Sequence, residues 1–225
     1  MVELLFHIKL PIFVMRQHIR HRTASVNEYS GRYSVMSDEF YLPEHTREFG
    51  QSAVNKQMSK GYLSDQEIED FLKWLDESYS ISYNNYLKSL ESGVSREISR
   101  IQLPVSNYTE VYWKIDLHNF FHYMSLRDDP DHAQSEIVKL AQTMYSLVKP
   151  HVPMACGAYE DYKKGSVTFS RIERIILNDI IDALYSEDED SEQCWLSLRD
   201  AYKDDLSKRE FDEFENKIKN LVETQ

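Results

Sequence analysis

RQHIRHRTASVNEYSGRY, residues 16–33, sets four arginines (Arg16, Arg20, Arg22 and Arg32) against one glutamate, Glu28, in a chain of 225 residues whose formal net charge is −12. Local basicity inside an acidic chain points to an anion held at this stretch. Read as a helix, its start places Arg16, Gln17 and Arg20 on one face, because residues three and four apart are neighbours. Ser30, Gly31 and Arg32 then add a hydroxyl, a flexible backbone and a guanidinium just beyond the helix end. Arginine's planar fork matches phosphate oxygens and glycine lets backbone N–H groups come close, so phosphate is the anion this mixture suits best. The alternative is a run of solvated surface charges.

Outward from this stretch, residues 2–10 alternate loosely and predict a strand, with Pro11 opening a helix over 11–22 that buries Ile12, Phe13, Met15 and Ile19. Ser37 to Ser64 is polar and broken by Pro43, Gly50 and Gly61, which predicts a long loop of the kind that binds or covers ligands. Ile68, Phe71, Leu72, Leu75, Tyr79, Tyr83, Tyr86 and Leu90 recur at helical spacing over 65–91, and Gly93 ends that helix. A short helix follows over Ser95 to Leu103, stopped by Pro104. NYTEVYWKID, residues 107–116, alternates as a half-buried strand should. Residues 117–126 read as helix, and Asp131 is placed to cap another from His132 to Val148. Beyond Pro153 the chain is helical and acidic; SEDEDSE, residues 186–192, reads as a solvated turn or exposed helix start.

Composition bounds the class. With 41% hydrophobic and 28% charged residues, the chain has the content of one folded domain with a tail. The acidic balance argues against nucleic-acid backbone binding. LLFHIKLPIFV, residues 4–14, is too short to span a bilayer and carries no basic leader, so it reads as folded structure. Cys156 and Cys194 lack the spacing of a zinc site or of a disulfide framework, and reduced thiols fit a cytoplasmic protein.

Two further constellations carry charge. Arg96 and Arg100 flank Glu97, as in an ordinary surface helix with an ion pair. His118 and His122 stand at i and i+4 with His132 nearby, and Asp116 or Asp128 would complete a zinc set; yet Asn119 stands where the metalloprotease motif has its glutamate. Plain packing over Phe120 and Phe121 is the other reading.

Arg20, His21 and Arg22, then seven residues, then Ser30, with Gln17, Asn27, Glu28, Gly31, Arg32 and Tyr33 around them, resemble the signature of the flavin-dependent thymidylate synthases. The resemblance covers residues 2–155. It implies an α+β fold, a mixed sheet carrying Leu4–Lys9 and Val111–Asp116 with helices packed on it, over a domain 1–160 followed by a helical acidic extension 161–225. It also implies reductive methylation of dUMP to dTMP, with FAD and NADPH as reductant and methylenetetrahydrofolate as carbon donor. Family members are homotetramers with active sites between subunits, bound neither to nucleic acid nor to membrane. Carried over by position, Gln17, Arg20, Glu28, Ser30, Gly31, Arg32, Arg100 and Arg127 bind dUMP, and Arg127 assists ionisation of the uracil ring. Arg20, His21, Arg22, Asp116, His118, His122 and His132 hold FAD; no metal is implied. Asp116 replaces an amide by an acid, and one extra residue separates Arg127 from His132. A further strand and helix, with a His-x-Ser/Thr-Pro-Phe-Glu segment that contacts the flavin, precede this point in family members, so Met1 reads as an internal methionine. A non-catalytic nucleotide-binding remnant is the alternative function.

Overall fold

Apolar and polar residues alternate along Glu3–Pro11 and Tyr108–Asp116. In the computed structural model, which describes residues 2–53, 59–185 and 197–223, these are the long strands of a three-stranded sheet. In chain order the strands are β1 (Glu3–Pro11), β2 (Ser25–Glu28) and β3 (Tyr108–Asp116), arranged β1-β3-β2. The architecture is α+β as expected, but both pairings are antiparallel in place of a mixed sheet, with Ile8 opposite Val111 and Val26 opposite Trp113. Ile8, Leu10, Val111, Trp113 and Ile115 point to one face and are buried, while Leu5 and Tyr112 on the other are exposed.

Helices α1 (Ile12–His18), α4 (Leu117–Arg127), α5 (Ser135–Val148) and α6 (Pro153–Tyr159) supply the rest of that core, among them Val14, Phe120, Tyr123, Ile137, Ala141 and Cys156. α1 is shorter than predicted. It ends at His18, Ile19 is exposed, and the buried set is Val14, Met15 and His18, because the imidazole takes the place the pattern gave to Ile19. The chain then turns and pairs as β2, so Ser30 to Arg32 follow a strand and not a helix end. Asp131 does not cap α5; Gln134 holds that position, and the Asp129 carboxylate instead accepts from Asp131 N at 3.1 Å.

α2 (Asp65–Glu91) opens on a reciprocal cap between Ser64 and Glu67, and the left-handed Gly93 (φ +84°) follows its end. α3 (Arg96–Ser99) and a 3₁₀ turn over Arg100–Gln102 replace the single short helix expected there. The segment 37–64 has only isolated bridges among its described residues, Phe40 with Asn107 and Gln51 with Ser59, yet it is tied down. Tyr79 Oη donates to the Tyr41 carbonyl at 3.0 Å, and Asn107 Nδ2 to the Ser37 and Glu39 carbonyls at 2.9 Å each. Arg47 grips Glu136 with Nε and Nη2 at 2.6 and 3.1 Å, pinning the segment to α5 by a forked pair.

By contacts the chain divides into units Met1–Tyr159 and Glu160–Gln225. In the second, a π-helical turn Glu160–Lys164 precedes helices Arg171–Tyr185 and Lys208–Glu223, whose core holds Ile176, Leu206, Phe211 and Phe214. Lys217 pairs with Glu173 at 2.6 Å across it. SEDEDSE and Cys194 lie outside the described residues. No described helix is long and apolar enough to cross a membrane.

Candidate active site

β2 leads directly into Ser30 and Gly31, and the 3₁₀ turn after α3 brings Arg100 onto them. Glu28, Ser30, Gly31 and Arg100 therefore line one cavity of about 300 Å³, together with Ile12, Tyr29, Met36, Leu103, Asn107 and Thr109. Gly31 is needed there. A Cβ at that position would sit 2.9 Å from Met36 Sδ and 3.3 Å from Arg100 Cδ, so a side chain would force Met36 to shift and crowd the arginine stem. The Arg100 guanidinium is exposed and has no partner among the described residues. Glu28 accepts from Thr109 Oγ1 at 2.9 Å, and Ser30 Oγ accepts from Arg32 N at 3.3 Å. One wall thus presents a free cation and the other a carboxylate fixed by one oxygen.

Arg32 and Arg96 behave differently from expectation. Glu97 pairs with Arg32, at 3.2 Å, and not with its sequence neighbour Arg96, which donates to the Tyr33 carbonyl at 3.1 Å. Glu97 thus already offsets part of the Arg32 charge.

A second cluster lies at the far end of α1, which spans about 10 Å. Arg127 Nε donates to His21 Nε2 at 2.9 Å; the His21 ring stands 4.6 Å from that of Tyr123 and 6.5 Å from that of His122. Tyr123 Oη meets His18 Nδ1 at 3.2 Å, and His18 rests on Trp113 at 4.4 Å. Burial first, and then the charges of Arg127 and His122, hold His21 down to about 4; burial, then His21 and Arg127, hold His18 at about 3. Both are neutral at pH 7, as His21 must be to accept from a guanidinium. Because the unfolded chain protonates these histidines near 6.5, it binds more protons than the fold below that pH, and stability falls on acidification. The thermal midpoint should decline from pH 6.5 toward pH 5, above the ordinary carboxylate range; a flat midpoint across that window would contradict the assignment.

The remaining residues singled out in the sequence scatter. Gln17 donates to Gln134 across α1 and α5. Arg20 and Arg22 are exposed, without partners among the described residues. Asp116 caps α4, accepting from Asn119 N at 2.9 Å, which holds its carboxyl below the usual range. His132 faces Asp129 at 2.9 Å, and His118 is exposed. Among the described residues no group of three or more His, Cys, Asp or Glu is gathered to hold a metal ion. Thr109, His18 and Tyr123 escaped the sequence reading, and the four exposed residues of β2 carry no alternation that could have pointed to the first. A larger cavity of about 700 Å³ lies against Pro11, Val14, Arg47, Glu136 and Leu140; of its charged residues Arg47 pairs with Glu136 and Lys139 with Glu44 across it, and Lys9 pairs with Glu39 outside it.

Fold and cavity together define an α+β domain that carries an arginine-walled pocket at the open edge of its sheet. Residues 1–154 match the family described as thymidylate synthase complementing protein, and the chain belongs to that family. It is similar to the flavin-dependent thymidylate synthases of Dictyostelium discoideum (49% identical over 173 residues, 77% of this chain and 56% of that protein) and Ehrlichia ruminantium strain Gardel (44% over 207 residues, 91% and 69%). The chain thus spans between about half and two thirds of these relatives' length. The Ehrlichia match is longer than the family match, so part of the second unit has a counterpart there. A solved UMP/dUMP methylase, PolB from Streptomyces cacaoi bound with 5-Br UMP, superposes with a TM-score of 0.63 at 30% identity, covering 66% of this chain and 68% of that one.

Proposed function

We propose that this chain binds dUMP and serves its reductive methylation to dTMP, with methylenetetrahydrofolate as carbon donor and FAD and NADPH as reductant. The observation that carries the reading is the Arg100 guanidinium, unpaired among the described residues, beside Ser30 and Gly31 in a cavity of about 300 Å³. That volume is at the small end of ligand sites, which suits a mononucleotide better than a dinucleotide. Arg100, with Ser30 and Gly31, takes the phosphate; Glu28 accepts from a sugar hydroxyl; Arg127 favours negative charge developing on the uracil oxygen. The names of the relatives favour an enzyme over a non-catalytic remnant.

For FAD, the donor set fits at its diphosphate: Arg20 and Arg22 are exposed and unpaired among the described residues, as an anion site needs. Asp116 fits less well, being engaged in the α4 cap. When bound, flavin supplies the hydride that completes the methyl group. The two clusters lie at opposite ends of α1, which supports a homotetramer of the kind the family resemblance implies, with the Arg127 cluster of one copy completing the Arg100 pocket of another.

Calorimetric titration tests the nucleotide reading. dUMP binds and deoxyuridine, which lacks the phosphate, binds at least about tenfold more weakly; no saturable binding of dUMP overturns it. Titration of FAD should quench flavin fluorescence, and a flat titration removes the flavin from this chain.

A further inference from the structure

His21 lies in the middle of the RHR stretch, where a direct ligand contact is the natural assumption, yet its Nε2 is already engaged inside the protein. Resting on the reading above, we propose that His21 is a positioning residue that aims Arg127 at the nucleotide through the Nε–H to Nε2 hydrogen bond.

The contact is 2.9 Å long and uses Nε, the inner nitrogen of the guanidinium. Fixing that nitrogen fixes the plane of the fork and leaves the Nη donors free to face a ligand. Arg127 closes α4, where a long side chain otherwise keeps many rotamers, so an anchor at Nε confines it before the ligand arrives. His21 is itself rigidly seated. It is 9% exposed, with the Tyr123 ring at 4.6 Å; the Tyr123 hydroxyl meets His18, and His18 lies against the fully buried Trp113. A chain of packed rings therefore runs from β3 through α1 and α4 to the guanidinium. Accepting at Nε2 requires the proton on Nδ1, and burial of the ring keeps the imidazole neutral. The sole ring donor left, Nδ1–H, is neutral, which suits positioning better than binding a diphosphate.

Two measurements test this. In the unmodified chain, proton exchange at Arg127 Nε–H, read by NMR, should be slow, and it should become fast in His21→Leu and return to slow in His21→Gln, whose amide oxygen accepts at similar reach. His21→Leu should weaken dUMP binding about tenfold, His21→Gln should restore it, and His21→Leu should add nothing in an Arg127→Ala background. Arg127 Nε–H exchanging as freely as an exposed arginine in the unmodified chain overturns the proposal, without needing any variant to fold. Equal losses from His21→Leu in both backgrounds overturn it as well, since His21 then acts without Arg127. Failure of the unmodified chain to bind dUMP counts against the nucleotide reading instead, and the exchange measurement still decides the His21–Arg127 contact.

Discussion

Arg100→Ala lowers affinity for dUMP by about ten- to a hundredfold, the equivalent of roughly 1.5–3 kcal/mol for a charge-assisted contact. The fold should tolerate it. The guanidinium has no partner among the described residues and the residue is exposed, so stability should move by no more than about 0.5 kcal/mol. Deoxyuridine separates phosphate from ring contact: if Arg100 holds the phosphate, the substitution leaves deoxyuridine affinity unchanged. Arg32→Ala should cost less, because Glu97, paired with Arg32 at 3.2 Å, already offsets part of its charge. Calorimetry with both ligands measures all of this, and unchanged dUMP affinity in Arg100→Ala returns that residue to the solvated-charge reading.

The long strands were legible because β1 and β3 alternate over nine residues each, and one face of that alternation is the core. β2 was not. Its four residues are all exposed, so no burial pattern marks them, and what makes them a strand is pairing with β3 from far along the chain. The end of α1 was misjudged for a related reason. Counting apolar residues selects Ile19, whereas the buried position belongs to His18, a polar ring whose burial depends on Trp113 and Tyr123. In the DDPD stretch, residues 128–131, Asp131 was the expected cap, and composition does not say that the Asp129 carboxylate turns back on its own loop to take the Asp131 N–H. The family resemblance singled out Glu28, Ser30, Gly31 and Arg100, and the fold brings these four to one cavity. It did not reveal that Arg127 is held by His21, since that contact joins residues on different elements, each of which reads locally as an independent charge.

Arg127→Ala separates positioning from chemistry. If the guanidinium stabilises charge that develops on the uracil ring only as the carbon unit is transferred, its removal lowers turnover by about a hundredfold or more, while ground-state affinity for dUMP falls by only about tenfold. Arg127→Lys should recover part of the loss. Lysine keeps a positive charge but lacks the planar fork and the Nε–H that His21 receives, so its ammonium is neither shaped nor aimed as the arginine is. Reduction of the flavin by NADPH requires no charge on the uracil, so in FAD-loaded protein stopped-flow bleaching should run at close to the unmodified rate. dTMP formation under saturating dUMP should collapse in the same sample. Loss of both steps together would mean that the substitution has disturbed the flavin site or the fold, and normal dTMP formation would remove Arg127 from the reaction. The split between the two rates is the expected result because the residue's geometry singles out the substrate end: Arg127 is anchored to the core through His21, Tyr123, His18 and Trp113, and its outer nitrogens have no partner among the described residues and are the part left to meet a ligand.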